Sequence, residues 1–204
     1  IDLELGRTNR WFDMSKKSLD PPIFAIRQAL KKDLSGDALV KNILLTLQEC
    51  QSLTKFNNAA ELLGLESEQS NALYSYPWWA EVKPWDSRSI DHMLEHSPFE
   101  VKKNRASNGM RIDSNDPHEI MRDDLQNSLP SHAKQYAKLT EAIKKYGFKY
   151  GGKSGYVSAE VLIADGKMCW KLGGEGNHRA AAASALGLKK IPVLVTKIIR
   201  LDEL

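Results

Sequence analysis

The sequence predicts an α+β protein: a small mixed sheet with helices, preceded by a small helical domain. Three observations support this. Apolar residues recur at helical spacing through much of the first seventy positions and again over 133–146. Apolar, partly β-branched runs flank an Asp165-Gly166 hairpin signal, and another run follows at Ile191–Ile199. Strands and helices succeed one another in no strict alternation.

Taken in order, Asp20 reads as a helix N-cap with Pro21 at the first helical position. Ile23, Ile26, Leu30 and Leu34 then line one face. Ser35-Gly36 stops that helix, and Val40, Ile43, Leu44 and Leu47 give a second helix its apolar face. Asn58 with Glu61 reads as a capping box for a short helix ending at Gly64. These elements make a helical N-terminal domain of residues 1–73. Between Tyr74 and Trp85 the character changes: Tyr74, Tyr76, Trp78, Trp79 and Trp85 crowd together, broken by Pro77 and Pro84. Extended structure fits there, with an entry strand around Ala80 to Val82, and the aromatics are expected to seal one subdomain against another.

The second domain, residues 74–204, opens with a short helix at Ser87 to His96 and a polar loop at 104–116. Asp116-Pro117-x-Glu119 is a helix-start signature. Ser128-Leu129-Pro130-Ser131-His132 reads as a second helix entry, leading into a helix that carries Ala133, Tyr136, Leu139, Ile143 and Tyr146 and ends at Gly147. Strands are expected at Ala159 to Ala164 and Met168 to Leu172. An alanine-rich helix over Asn177 to Leu186 is closed by Gly187, and Pro192 stands near the start of the last strand, where a missing donor is tolerated.

The chain has 204 residues, 42% of them hydrophobic and 27% charged, enough to bury a sizeable core. It holds no 18-residue apolar run, so no membrane-spanning helix is expected. Cys50 and Cys169 make neither a disulfide framework nor a four-ligand zinc site, which points to a reducing, cytoplasmic location. No signal peptide is visible, but the chain starts at Ile1 rather than methionine, which leaves a trimmed segment open. Charge is uneven: residues 1–128 carry 16 Lys and Arg against 20 Asp and Glu, whereas residues 129–204 carry 13 against 6. A C-terminal part with net charge +7 suits an anionic partner, and so does a solvated Lys-rich surface.

The sharpest chemical feature is Gly173-Gly174-Glu175-Gly176-Asn177-His178-Arg179, where a strand runs through glycines into a helix. The first turn of a helix has amide N–H groups without internal partners and the positive end of the dipole. Glycines let an anion approach that backbone. Arg179 can fork a phosphate, and His178 can carry a proton near neutral pH. A carboxylate at Glu175 repels phosphate unless it holds a cation or acts as a base, and Mg²⁺ on Glu175 with a nucleotide meets that requirement. The alternative is a tight strand-to-helix turn with Glu175 beside the dipole.

The run Glu175-Gly176-Asn177-His178-Arg179, its Ala-rich continuation, Leu186-Gly187 and Ile191-Pro192-Val193 resemble the ParB/sulfiredoxin superfamily. The helix with Leu139, Ala142-Ile143 and Gly147-Phe148 is similar to the one that precedes this motif in that fold. The best match spans residues 129–199. Sulfiredoxins place a cysteine directly before the His-Arg pair, where this chain has Asn177. Chromosome-partition members bind CTP and continue into a helix-turn-helix, which has no counterpart after the motif here. Free-serine kinases, with an Asp-Gly-His-His-Arg-like box, are the nearest in motif.

That resemblance implies a nucleotide-binding protein acting as a Mg²⁺-dependent phosphotransferase, a small-molecule kinase, or as a nucleotide hydrolase. ATP, ADP or CTP would be the nucleotide, with a small-molecule acceptor. Glu175, His178 and Arg179 would be catalytic, with Glu175 also the Mg²⁺ ligand. Gly173, Gly174, Gly176, Asn177, Arg179, Ser131 and His132 would bind the nucleotide. Asn104 to Gly109 and the Asp86/Arg88 pair are candidates for acceptor contact, with plain solvated loop as their alternative.

Two other readings compete. A non-enzymatic DNA-binding or nucleotide-gated regulatory module fits the basic C-terminal part. Residues 129–204 nevertheless hold just two arginines, Arg179 and Arg200, which disfavours nucleic acid. His92-Met93-Leu94-Glu95-His96 matches the inverted zinc-peptidase pattern, in which His92 and His96 share a helix face and Glu95 serves as base. A zinc hydrolase also needs a third ligand, for which His118 and Glu119 are the candidates.

Overall fold

Asp20 opens the first helix as its sequence predicts. In a computed structural model its Oδ1 accepts a hydrogen bond from the Ile23 N–H, and Pro21 occupies the first turn of α1 (Pro21–Lys31). The model describes residues 2–7, 14, 15, 18, 20–49, 53–54, 76–77, 102–103, 106–107, 115, 117–151, 155–164 and 166–200. Ile23, Ile26 and Ala29 are fully buried on α1, while Leu39, Ile43 and Leu47 form the inward stripe of α2 (Gly36–Glu49). Glu141, on a later helix, accepts the Gly36 N–H at 2.7 Å, so a carboxylate from a distant part of the chain sits at the start of α2.

The long helix α3 (Pro117–Tyr146) corrects one expectation. The helix start at Pro117 is present, but no second entry exists at 128–132, and Pro130 lies inside one continuous helix. A proline there forfeits one backbone hydrogen bond and crowds the preceding turn, at about 3 kcal/mol. Leu129, Ala133, Tyr136, Ala137, Thr140 and Ile143 form an unbroken buried stripe across that point, and its packing offsets the loss. Pro130 itself faces solvent.

Strands β4 (Ser158–Ala164) and β5 (Lys167–Leu172) form the expected antiparallel hairpin, with Ala164 opposite Lys167 and Gly166 left-handed at φ 71°. Helix α4 (Asn177–Ala185) and β6 (Leu194–Arg200) follow, β6 lying parallel to β4. The N-terminus departs from its helical expectation. After a 3₁₀ turn at Leu3–Leu5, β1 (Gly6–Arg7) joins the sheet parallel to β5, giving the strand order β1-β5-β4-β6. Two two-residue strands, β2 (Leu53–Thr54) and β3 (Tyr76–Pro77), pair separately, so Tyr76–Pro77 is extended as expected. Ala106 and Ser107 are helical, within the stretch expected as loop.

The chain is therefore α+β, with a mixed sheet. Ala159, Val161, Trp170 and Leu172 project from one sheet face into a core shared with α1, α2, α3 and α4. Helix α4 buries all its alanines because it lies against both α1 and α3, and small side chains let the helices approach closely. The described helices of the first fifty residues thus contribute to the same core as the sheet. The expected boundary at 73/74 lies outside the described residues. So do the capping box at Asn58/Glu61 and the Ser87–His96 helix.

Candidate functional site

The glycine loop sits where β5 turns into α4, and Ser158, the first residue of β4, fixes it from below. Ser158 Oγ accepts the Glu175 N–H at 2.9 Å, its N–H donates to the Glu175 carbonyl at 3.1 Å, and its carbonyl accepts the Gly173 N–H at 2.8 Å. The amides of Gly173 and Glu175 are therefore committed within the protein. Those of Gly174, Gly176 and Asn177 have no partner among the described residues. Gly176 is the N-cap of α4, left-handed at φ 80°, and no side chain caps the helix. A Cβ at Gly176 would stand 2.7 Å from the Val157 Cα, so a side chain there would collide with the entry to β4.

Asn177 occupies the first position of α4, and its Oδ1 is buried with no hydrogen-bond partner among the described residues. A buried polar atom in that condition costs about 1–3 kcal/mol, so it marks a place where a bound group or water belongs. Amide oxygen and nitrogen exchange places by a half-turn of the side chain, which lets Asn177 meet either a donor or an acceptor.

His178 points toward α3. Its Nε2 lies 2.6 Å from Nδ1 of His132, and the two rings meet edge to edge with centroids 4.8 Å apart and planes 13° from parallel. Tyr136, one turn beyond His132 on α3, tilts against the His178 ring at 4.6 Å. One proton between the two imidazole nitrogens satisfies both, and it can pass from ring to ring with little movement. Ser131 lies beside His132 in the sequence but is exposed, and its expected position at a helix mouth does not exist because α3 continues through it.

Arg179 is committed as well. Its Nη1 donates to the Gly155 carbonyl at 3.0 Å and its Nη2 to the Tyr156 carbonyl at 3.3 Å, clamping the connector between α3 and β4 onto α4. Partial burial lowers its pKa from the ordinary arginine value, yet the guanidinium stays cationic throughout the accessible pH range. It adds positive charge one turn into α4, behind the uncapped amides. Glu175 is exposed at the loop.

The structure thus brings together Glu175, Gly176, Asn177, His178, Arg179 and His132, and leaves Ser131 outside. From the sequence Tyr136 is expected as part of a helix and not as a site residue, and Ser158 is not singled out. Tyr136 stands four residues after His132, so helical periodicity places both on one face, whereas the role of Ser158 depends on the sheet register. Cys169 is a buried thiol on β5. Among the described residues no group of three His, Cys, Asp or Glu is placed to hold a metal ion. Those residues also contain no helix long and apolar enough to cross a membrane. His92, His96, Asp86, Arg88, Asn104, Arg105, Asn108 and Gly109 lie outside the described residues, and of His118 and Glu119 just the helical backbone is described.

No family model matches the chain, and no curated protein or solved structure does either.

Proposed function

We propose that the loop at 173–179 binds the phosphates of a nucleotide and that the protein is a Mg²⁺-dependent phosphotransferase of the ParB/sulfiredoxin-like type, acting on a small molecule. The observation that carries this reading is the start of α4. Among the described residues no side chain caps it, its glycine is held close to the entry to β4, the neighbouring amides have no partner, and the buried Asn177 Oδ1 has none either. An anion at that point meets both the helix dipole and unsatisfied N–H groups.

On this reading the residues take the following roles. The amides of Gly174, Gly176 and Asn177 receive phosphate oxygens. Glu175, exposed beside them, would hold Mg²⁺ together with those oxygens, since Mg²⁺ commonly binds through one or two carboxylates plus substrate phosphates. When bound, the ion neutralises charge on the transferring group. The acceptor hydroxyl oxygen attacks the terminal phosphorus, the bond to the nucleotide oxygen breaks, and the hydroxyl proton passes to His178 and on to His132. Arg179 serves as a distal positive charge and as the clamp that holds the loop and connector in register.

The test is thermal stability against ATP, ADP, CTP and GTP, each with and without Mg²⁺. Ligand at a hundredfold its dissociation constant stabilises by about 2.7 kcal/mol, a shift of a few degrees for this size. A Mg²⁺-dependent shift for one nucleotide is expected, diminished in Glu175→Gln and Asn177→Ala. A chain that shifts with none of the four does not bind nucleotide at this loop.

A further inference from the structure

The connector between α3 and β4 carries a pattern that the nucleotide reading does not use. Residues 144–156 read Lys-Lys-Tyr-Gly-Phe-Lys-Tyr-Gly-Gly-Lys-Ser-Gly-Tyr, with four lysines, three tyrosines and no acid. The tyrosines are exposed rather than packed: Tyr146 by 60%, Tyr150 by 42% and Tyr156 by 48%. Aromatic rings of this size normally bury much of their area, so three exposed within eleven residues are unusual. They are also arranged. Lys145 Nζ stands 4.9 Å and Lys149 Nζ 5.3 Å over the centre of the Tyr146 ring, so exposed lysine side chains, which a stacking base would displace toward its phosphates, lie on the face of this aromatic platform. Tyr150 and Tyr156 meet edge to face at 5.1 Å as a second.

The backbone beneath is constrained. Gly147, Gly151 and Gly155 are all left-handed, the Gly151 N–H donates to the Gly155 carbonyl at 2.9 Å, and Arg179 grips the carbonyls of Gly155 and Tyr156. Among the described residues, two acids stand near these lysines or their helix. Asp33 approaches Lys144 at 3.9 Å with both side chains largely in solvent, and Glu141 is directed to the Gly36 amide. Lys145 and Lys149 thus form a basic surface interleaved with aromatic rings.

We propose that the surface made by residues 145–150 and Tyr156 binds single-stranded nucleic acid, with Tyr146 and the Tyr150–Tyr156 pair as platforms for bases and Lys145 and Lys149 as phosphate contacts. Exposed rings offer stacking to any unpaired base, whereas a duplex hides its base faces; nearby cations track the backbone. Two platforms offer stacking to more than one base, which a lone nucleotide does not supply. The shared chemistry admits DNA or RNA. Its rings and lysines are different groups from the α4 amides that would take nucleotide phosphate, although the Tyr156 backbone lies against Gly176.

The measurement is fluorescence anisotropy of the whole chain with a labelled oligothymidylate, an oligouridylate and a duplex, each of about a dozen nucleotides, a length within the range of one single-strand site. Unlabelled polyglutamate serves as competitor. Binding to either single strand is expected to exceed duplex binding at least tenfold and to resist polyglutamate, the tighter strand naming DNA or RNA. Tyr146→Ala and Tyr150→Ala should each weaken it about tenfold, Tyr146→Phe should retain it, and Lys145→Glu with Lys149→Glu should flatten its salt dependence. These side chains are exposed, so unchanged thermal melting confirms intact folding. Glu175→Gln should leave the affinity untouched, which separates this surface from the nucleotide loop. Absence of binding at low salt, equal binding of duplex or polyglutamate, or alanine variants with unchanged affinity overturns the proposal.

Discussion

At the scale of single residues, the four positions of Gly173-Gly174-Glu175-Gly176 are unequal. Gly176 combines a left-handed φ of 80° with a Cβ position 2.7 Å from backbone, whereas Gly174 has open space and no positive φ. Gly176→Ala should therefore cost about 2 kcal/mol or more, from left-handed strain of about 1–2 kcal/mol plus the collision. Gly174→Ala should stay within about 0.5 kcal/mol, as open surface substitutions do. Urea midpoints for the two variants test the contrast, and equal losses would show that the loop is not held against β4. The sequence marked the cluster but could not rank its members, because the difference lies in the approach of Tyr156 and Val157 from the segment that leads into β4.

Among the elements, α1 ends with a feature open to improvement. Asp33 takes the left-handed position after the helix at φ 51°, and the Leu34 N–H closes back onto the Ala29 carbonyl at 3.2 Å. Glycine is the residue suited to that conformation. Its ion pair with Lys144 is long and solvated and contributes little. Asp33→Gly should thus raise stability by about 0.5–1 kcal/mol, read as a higher melting temperature. Helix α3 teaches the complementary lesson. Two start signals, at 116–119 and 128–132, were legible, but one was used. Local signals offer a boundary, and the buried stripe from Leu129 to Ile143 decides whether it is taken.

For the whole molecule, the decisive connection joins the first residues to the sheet. Trp170 is fully buried on β5; its indole N–H donates to the Asp2 carbonyl at 2.7 Å, and its ring lies against Gly6. Leu3 is buried, its N–H bonded to the Lys189 carbonyl, and Ser184 on α4 donates to the Met14 carbonyl at 2.8 Å. Leu3→Ala should cost about 2–5 kcal/mol, as core leucine truncations do. Hydrogen exchange should show α2 and β5 losing protection in step, since they share one core. Loss confined to the sheet edge would mean that the early helices fold apart from it.

What the sequence determined by itself was local. Helical spacing and the Asp20 cap defined the start of α1, the inward face of α2 and the end of α4, Asp165-Gly166 defined the β4–β5 hairpin, and the run Gly173 to Arg179 marked the strand-to-helix turn. Each rests on neighbours within a few residues, where backbone preference and capping operate. The end of α1 falls at Lys31, before the expected stop at Ser35-Gly36, and Gly36 opens α2. Tertiary structure alone decided the pairing of β1 with β5, the continuity of α3 through Pro130, the meeting of His132 with His178 and the turning of Arg179 onto Gly155 and Tyr156. Those contacts join positions that no local preference links. They form because burying Trp170, the α4 alanines and the α3 stripe in one core brings their elements within reach of one another.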